Sequence, residues 1–275
     1  MKRSIELAAD IDSCSPAFGT LAFWRLGQHG LAIKGGTTVV YVDPYLSPTE
    51  SRLVPPLLSP DQVRNADLVL GTHDHSDHID RPAWPAIAQA SRRAIFVLPQ
   101  AAKPDVLRAT GIPPERAVGL DDRVSVSVSG VIITGIAAAH EFLARDPATG
   151  RCPFLGYVIE MNGCCIYHAG DTCCYDGMLA RLRRWKFDAV FLPINGRDAK
   201  RYAAGCLGNM TYQEAADLAG ELAPRLVVPA HYDMFAFNPG DLAAFSEYMR
   251  VKYPGLRTLV CGNGERVELR TEART

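Results

Sequence analysis

The sequence predicts a single α/β domain with β-sheet packed inside helices. Three observations carry this. Short apolar runs of strand length recur along the whole chain, and most are joined by tight turns. Helix signals stand between these runs instead of gathering at one end, the pattern of sheets covered by helices. No linker, low-complexity segment or short repeat divides the 275 residues, a length that at ~150 residues per domain allows one large domain or two small ones.

Taken in order, residues 21–26, 31–34 and 37–42 read as strands, with Gly35-Gly36 turning between the last two. Single strands are expected at 67–72, 94–98, 188–192 and 225–229. Strands 123–128 and 131–138 flank Ser129-Gly130, and 155–161 and 164–169 flank Asn162-Gly163. Asn-Gly is a strong hairpin signal because both residues tolerate positive φ. A last hairpin is expected around Asn263-Gly264. Thr211-Tyr212-Gln213-Glu214 forms a capping box that opens a helix running to about residue 222. Further helices are expected at 178–185 and 241–250. Arg181, Arg183, Arg184 and Lys186 make the first of these basic, which reads as a solvated face.

The 48% hydrophobic and 21% charged fractions fit a packed core and exclude a disordered or fibrous chain. Lys plus Arg number 29 against 30 Asp plus Glu, so a protein built to coat nucleic acid is not expected. No apolar run approaches the ~20 residues that span a bilayer. The start, Met1-Lys2-Arg3-Ser4-Ile5-Glu6, turns acidic at once, and no signal-peptide core follows it. The expectation is a soluble, cytoplasmic protein with reduced cysteines. The eight cysteines include the adjacent pairs Cys164-Cys165 and Cys173-Cys174 and form no Cys-x-x-Cys.

The chemistry is concentrated in Thr72-His73-Asp74-His75-Ser76-Asp77-His78. His73 and His75 would point to opposite faces of a regular strand and converge only in a turn; His75 and His78 share a face if a helix starts there. Imidazoles beside a carboxylate suit zinc, manganese or iron. Four more polar residues follow apolar strand-like runs in the same way: Asp43, His140, Asp171 and His231. Strand ends from several segments can meet at one sheet edge, and a site would form there.

This order of motifs resembles the metallo-β-lactamase superfamily over nearly the whole chain. The resemblance implies an αββα sandwich: two central mixed sheets flanked by helices, with a metal site at one sheet edge. Tyr167-His168-Ala169-Gly170-Asp171-Thr172, Leu192-Pro193-Ile194-Asn195-Gly196-Arg197-Asp198, Gly208-Asn209-Met210-Thr211 and His231-Tyr232-Asp233-Met234-Phe235 are similar to the L-ascorbate-6-phosphate lactonase-like branch. The resemblance implies two divalent ions, zinc or manganese. His73, His75 and His140 would hold the first, and Asp77, His78 and His231 the second. Asp171 would bridge them. An aspartate at the bridge looks like esterase, lactonase and phosphodiesterase members.

The expected activity is hydrolysis of a small, anionic, ester-like substrate by a metal-activated hydroxide, with a lactone of a sugar acid phosphate as the specific expectation. Asp77 or Asp171 would orient the hydroxide and take its proton. Asp233 is a candidate general acid or support for a ligand imidazole. Asp43 and His168 are expected behind the ligands, and His29 in a turn. Asn195, Arg197 and Asn209, in the long segment 193–210, and Arg145 are candidate substrate-binding residues. Alternatives are phosphodiester cleavage, an iron-dependent oxidoreductase of the same fold, or a metal-holding regulator without turnover. The resemblance also implies a homo-oligomer.

Overall fold

A computed structural model describes residues 5–271. The start on which the leader expectation rests, Met1 to Ser4, lies outside the described residues. The strands are β1 (Thr20–Gly27), β2 (Gly30–Gly35), β3 (Thr38–Val42), β4 (Leu68–Leu70), β5 (Ile95–Pro99), β6 (Ala117–Leu120), β7 (Ser125–Val128), β8 (Val131–Ala137), β9 (Leu155–Met161), β10 (Cys164–His168), β11 (Ala189–Pro193), β12 (Val227–Ala230) and β13 (Arg266–Arg270). The helices are α1 (Ile5–Ser13), α2 (Trp84–Ala90), α3 (Lys103–Thr110), α4 (Met178–Leu182), α5 (Ala199–Ala203), α6 (Tyr212–Leu222) and α7 (Leu242–Lys252).

The strands form two sheets, ordered β13-β1-β2-β3-β4-β5-β6 and β12-β11-β10-β9-β8-β7. Both are mixed: β3 to β6 pair in parallel, as do β10 to β12, while the hairpins pair antiparallel. Side-chain alternation along each strand sorts the apolar residues into three cores. Leu21 and Phe23 of β1 face Tyr157, Ile159 and Phe191 of the other sheet, and the Phe23 and Phe191 rings meet edge to face at 5.1 Å. Ala22 and Trp24 point the other way, onto Leu7 and Ile11 of α1 and Trp84 and Ile87 of α2. Val158, Tyr167 and Leu192 turn outward onto Ala215 and Leu218 of α6 and Phe245 of α7. The layers are therefore helix, sheet, sheet, helix. Among the described residues no helix is long and apolar enough to cross a membrane.

Several elements differ from expectation. The hairpin around Asn263-Gly264 does not form. Leu259 N–H donates to Val227, Gly264 N–H donates to Arg25, and β13 pairs instead with β1. The segment is divided between two sheets and has no partner strand of its own. The helix expected at 178–185 ends at Leu182. Helix α1, with Leu7 and Ile11 buried one turn apart, helices α2, α3 and α5, and the short strand β6 were not expected.

The arrangement brings several loops to one edge. The β1–β2 turn and the carboxyl ends of β3, β4, β8, β10, β11 and β12 meet there, linked through Gln28, Asp43, His78, His140, Asp171, Asn195 and His231.

Candidate metal centre

The segment after β4 leaves the sheet in tight turns, with His78 N–H bonded back to His75 O at 3.0 Å. This turn lets His73 and His75 converge, so that His73 Nε2 lies 2.9 Å from His75 Nδ1. His140 completes a group with them. Its Nδ1 is bonded to Gly208 O at 3.0 Å, which leaves Nε2 for the site. A second group comprises Asp77, His78 and His231, and a third joins His73 and His78 through Asp171; within each group the donor atoms lie within 4.8 Å of one another. Asp171 reaches both other groups, with Oδ1 3.3 Å from His78 Nε2 and Oδ2 3.0 Å from His231 Nε2 and 3.7 Å from His140 Nε2.

Supporting contacts explain these orientations. Asp43 is fully buried; its carboxylate accepts the Thr72 N–H and hydroxyl and lies 2.6 Å from His78 Nδ1. That contact turns His78 Nε2 inward. Asp171 is held by the Asn209 amide at 2.9 Å, and Asn209 in turn by Asn195 at 3.1 Å. His168 Nε2 bonds His29 O at 2.8 Å while its Nδ1 accepts Gly170 N–H. This pairing defines a neutral tautomer, and burial accordingly pushes His168 down to about 3. His29, Asp43 and His168 also cluster, but the bonds of Asp43 and His168 are already made, so the cluster acts as a floor beneath the site.

The two ligand groups differ electrically. Burial, the largest influence, pushes His73, His75 and His140 below the ordinary imidazole value, so their lone pairs are free at neutral pH. Burial also acts against charge on His78, but Asp171, Asp77 and Asp43 outweigh it and raise the imidazole well above its usual value. Burial would raise Asp77 and Asp171, yet nearby His78 and His231 hold both below the carboxylate range. A proton on His78 thus balances carboxylates that a cation would balance instead. His78 Nε2 and Asp171 Oδ1 are buried without a hydrogen-bond partner. Three neutral imidazoles, two ionised carboxylates and two unsatisfied atoms aimed at one another fit a pair of divalent ions.

The groups lie at the base of a cavity of about 1090 Å³. Its walls include Tyr45, Phe235 and Phe237 on one side and Lys200, Arg201 and Asn238 on another. A separate hollow of about 540 Å³, lined by Arg225, Arg257, Glu268 and Arg270, holds none of the histidines.

A family model described as a beta-lactamase superfamily domain matches residues 38–232. A UPF0173 metal-dependent hydrolase of Rubrobacter xylanophilus is 31% identical over 225 residues, covering 80% of this chain and 84% of its own. The chain belongs to the UPF0173 metal-dependent hydrolase family of the metallo-β-lactamase superfamily. A family member of Methanoregula boonei is 27% identical over 243 residues, covering 88% of this chain and 95% of its own. Among solved structures, a metallo hydrolase of Ignicoccus hospitalis superposes with a TM-score of 0.70 at 23% identity, over 92% of this chain and all (100%) of the other. An isothiocyanate hydrolase from Delia radicum gut bacteria superposes at 0.71 with 17% identity, over 91% of this chain and 100% of its own. These likenesses show the metallo-β-lactamase fold.

Within this UPF0173 site, His73, His75, Asp77, His78, His140, Asp171 and His231 come together, with Asp43 and His168 behind them. Other expected residues stand elsewhere. Asp233 does not line the cavity; both of its oxygens are taken by Arg25, at 2.7 and 2.8 Å, and Asn263 adds a third bond. It braces the turn after His231 and is not placed as a general acid. Arg197 forks onto both oxygens of Glu214 and donates to Asn209 O, tying the long segment to α6. Arg145 is spent on Gly150 O in its own loop. Asn195 and Asn209 support Asp171 from behind the cavity wall. The cations that line the cavity are Lys200 and Arg201, four residues or fewer beyond the arginine chosen from the sequence. Gln28 and His29, both buried polar residues of the β1–β2 turn, also enter the site. Gly27 and Gly30 bracket them in the sequence, the one local sign that this turn is unusual.

Proposed function

We propose that the chain hydrolyses a small anionic ester-like substrate, with a lactone of a sugar acid phosphate as the best-matched class. The convergence of three donor groups at the base of one cavity carries this reading. Two divalent ions, zinc or manganese, would bring the ionisation of a water to about pH 7 and polarise the scissile carbonyl. His73, His75 and His140 would hold one ion, Asp77, His78 and His231 the other, and Asp171 would bridge.

The chain's own contribution is placement. Asp77 is the more open of the two carboxylates, with 16% of its side chain exposed against 4% for Asp171. In this reading Asp77 would take the proton of the attacking water and return it to the departing alkoxide as the ring C–O bond breaks. Lys200 and Arg201, on the cavity wall, supply positive charge for a phosphate or carboxylate remote from the reacting carbon. Arg201 is steadied by Asp198, Asn195 O and Asn238, which presents its guanidinium in one position. Tyr45, Phe235 and Phe237 offer an apolar wall for the uncharged part of the substrate. A cytoplasmic setting and a homo-oligomer are part of this proposal.

The test is a panel of sugar-acid-phosphate lactones, unphosphorylated lactones and phosphodiesters, assayed with zinc- and with manganese-loaded protein. Turnover of phosphorylated lactones, reduced about 10³-fold in Asp77→Ala, is expected. Selective cleavage of phosphodiesters would replace the lactone reading. Oxygen uptake by iron-loaded protein without hydrolysis would overturn the hydrolase.

A further inference from the structure

The β1–β2 turn places a side-chain amide inside the donor cluster. Gln28 Nε2 lies 2.7 Å from Asp77 Oδ2 and 3.0 Å from His231 Nε2. These are the very atoms that face the other donors of the second position: the same Asp77 oxygen is 3.6 Å from His78 Nε2 and 3.7 Å from His231 Nε2. A residue that only steadied Asp77 would bond its outward oxygen and would not also reach the inward nitrogen of a histidine. Donor atoms ~2.1 Å from one divalent ion sit roughly 3.0–3.4 Å from each other. At 2.7 and 3.0 Å, within hydrogen-bonding range, the Gln28 amide stands close enough to both donor atoms for its end group to reach an ion that they share.

The residue is fixed there by backbone. Gln28 has a φ of 52°, a left-handed backbone that a residue with a side chain adopts only against a steric cost. Its carbonyl accepts the N–H of His231 at 2.9 Å, so the turn and the end of β12 are coupled. Gly30 allows the turn to press inward, since a Cβ there would lie 3.0 Å from Asp43 O. The side chain is almost wholly buried, and among the described residues its amide meets Asp77 and His231.

We propose that Gln28 is a ligand of the second metal position through its Oε1, an amide that presents N–H to Asp77 without a cation and turns over to present oxygen to one. The two ends of an amide have nearly the same shape, so half a turn about the last side-chain bond exchanges donor for acceptor. The inference rests on the metal-centre reading above and deepens it. With Gln28 included, the second position is rich in oxygen and the first is built of imidazole. Amide and carboxylate oxygen suit manganese, and three imidazoles suit zinc. The two positions are therefore chemically unlike, and a mixed zinc–manganese pair is the expected occupancy.

The experiment titrates chelator-treated, metal-free full-length chain with manganese, read by the electron paramagnetic resonance signal of the free ion, with one zinc equivalent already bound. Gln28→Asn, whose side chain tolerates the left-handed backbone but withdraws the amide by one carbon, is compared with wild type; thermal melting verifies its fold. Wild type is expected to bind one manganese beside the zinc, and Gln28→Asn to bind it at least 10-fold more weakly with zinc affinity unchanged. Gln28→Ala serves as the second variant and is expected to weaken manganese as much or more. Unchanged or tighter manganese binding in both variants overturns the ligand role and leaves the metal-centre reading standing. A wild-type chain that takes up neither ion overturns both.

Discussion

Arg25 shows how far the site is built by residues that never meet a substrate. Its guanidinium is 3% exposed, forks onto Asp233, bonds Asn263 at 2.8 Å and lies 4.3 Å above the Tyr232 ring. Asp233→Ala would leave this cation buried without its partner, a loss of about 3 kcal/mol. A lowered urea midpoint for Asp233→Ala, with turnover per folded molecule reduced far less than in Asp77→Ala, is the expected pair of results. Asn209 acts on Asp171 in a comparable way. Asn209→Ala is expected to weaken metal binding about 10- to 100-fold, measured by chelator competition. The seven proposed ligands were legible in the sequence because each ends an apolar run or sits in the 73–78 motif. Gln28 was not, because its partners Asp77 and His231 are 49 and 203 residues away. Arg197 misled for a related reason: an arginine beside a site strand reads as a substrate clamp until Glu214 is seen to occupy it.

At the scale of elements, alternation and turn chemistry told most of the strands, and the Thr211–Glu214 capping box is present as read. Thr211→Ala should lower stability by about 1 kcal/mol, visible as a lower melting temperature. What local patterns did not carry was partnership. Strand β13 was expected to fold back on its neighbour in sequence and instead joins β1 across the chain. The segment before α6 shows the reverse, an irregular stretch held by definite bonds. Gly208 O accepts from the ring of His140 and from Glu141 N–H, and a Cβ on Gly208 would stand 2.3 Å from Arg197 Cβ. Gly208→Ala must therefore move the segment outward and take the acceptor from His140. The expected result is a roughly 10-fold or greater loss of affinity at the first metal position, with α6 still folded by circular dichroism.

Across the whole molecule, the buried imidazoles of the floor make stability depend on pH. His168 and His29 are pushed down chiefly by burial, to about 3 and about 4. Between those values and an unfolded value near 6.5, the unfolded chain binds more protons than the native one. Stability is thus complete above about pH 6.5 and falls as pH drops through that window, by up to ~1.4 kcal/mol per pH unit for each proton. Urea midpoints of metal-free protein from pH 7 to pH 4.5 should show this slope, and His168→Gln should reduce it. The edge where the strand ends meet has a further consequence, for the lifetime of the chain. Ions bridging the loops after β4, β8, β10 and β12 would act as cross-links closing loops that together enclose most of the sequence. Local opening at any one of those strands would then have to break a coordinate bond, so the loaded chain should yield to protease only through global unfolding. Chelation would remove the rivets and turn a protease-resistant molecule into one cut first at the loops that bear its ligands.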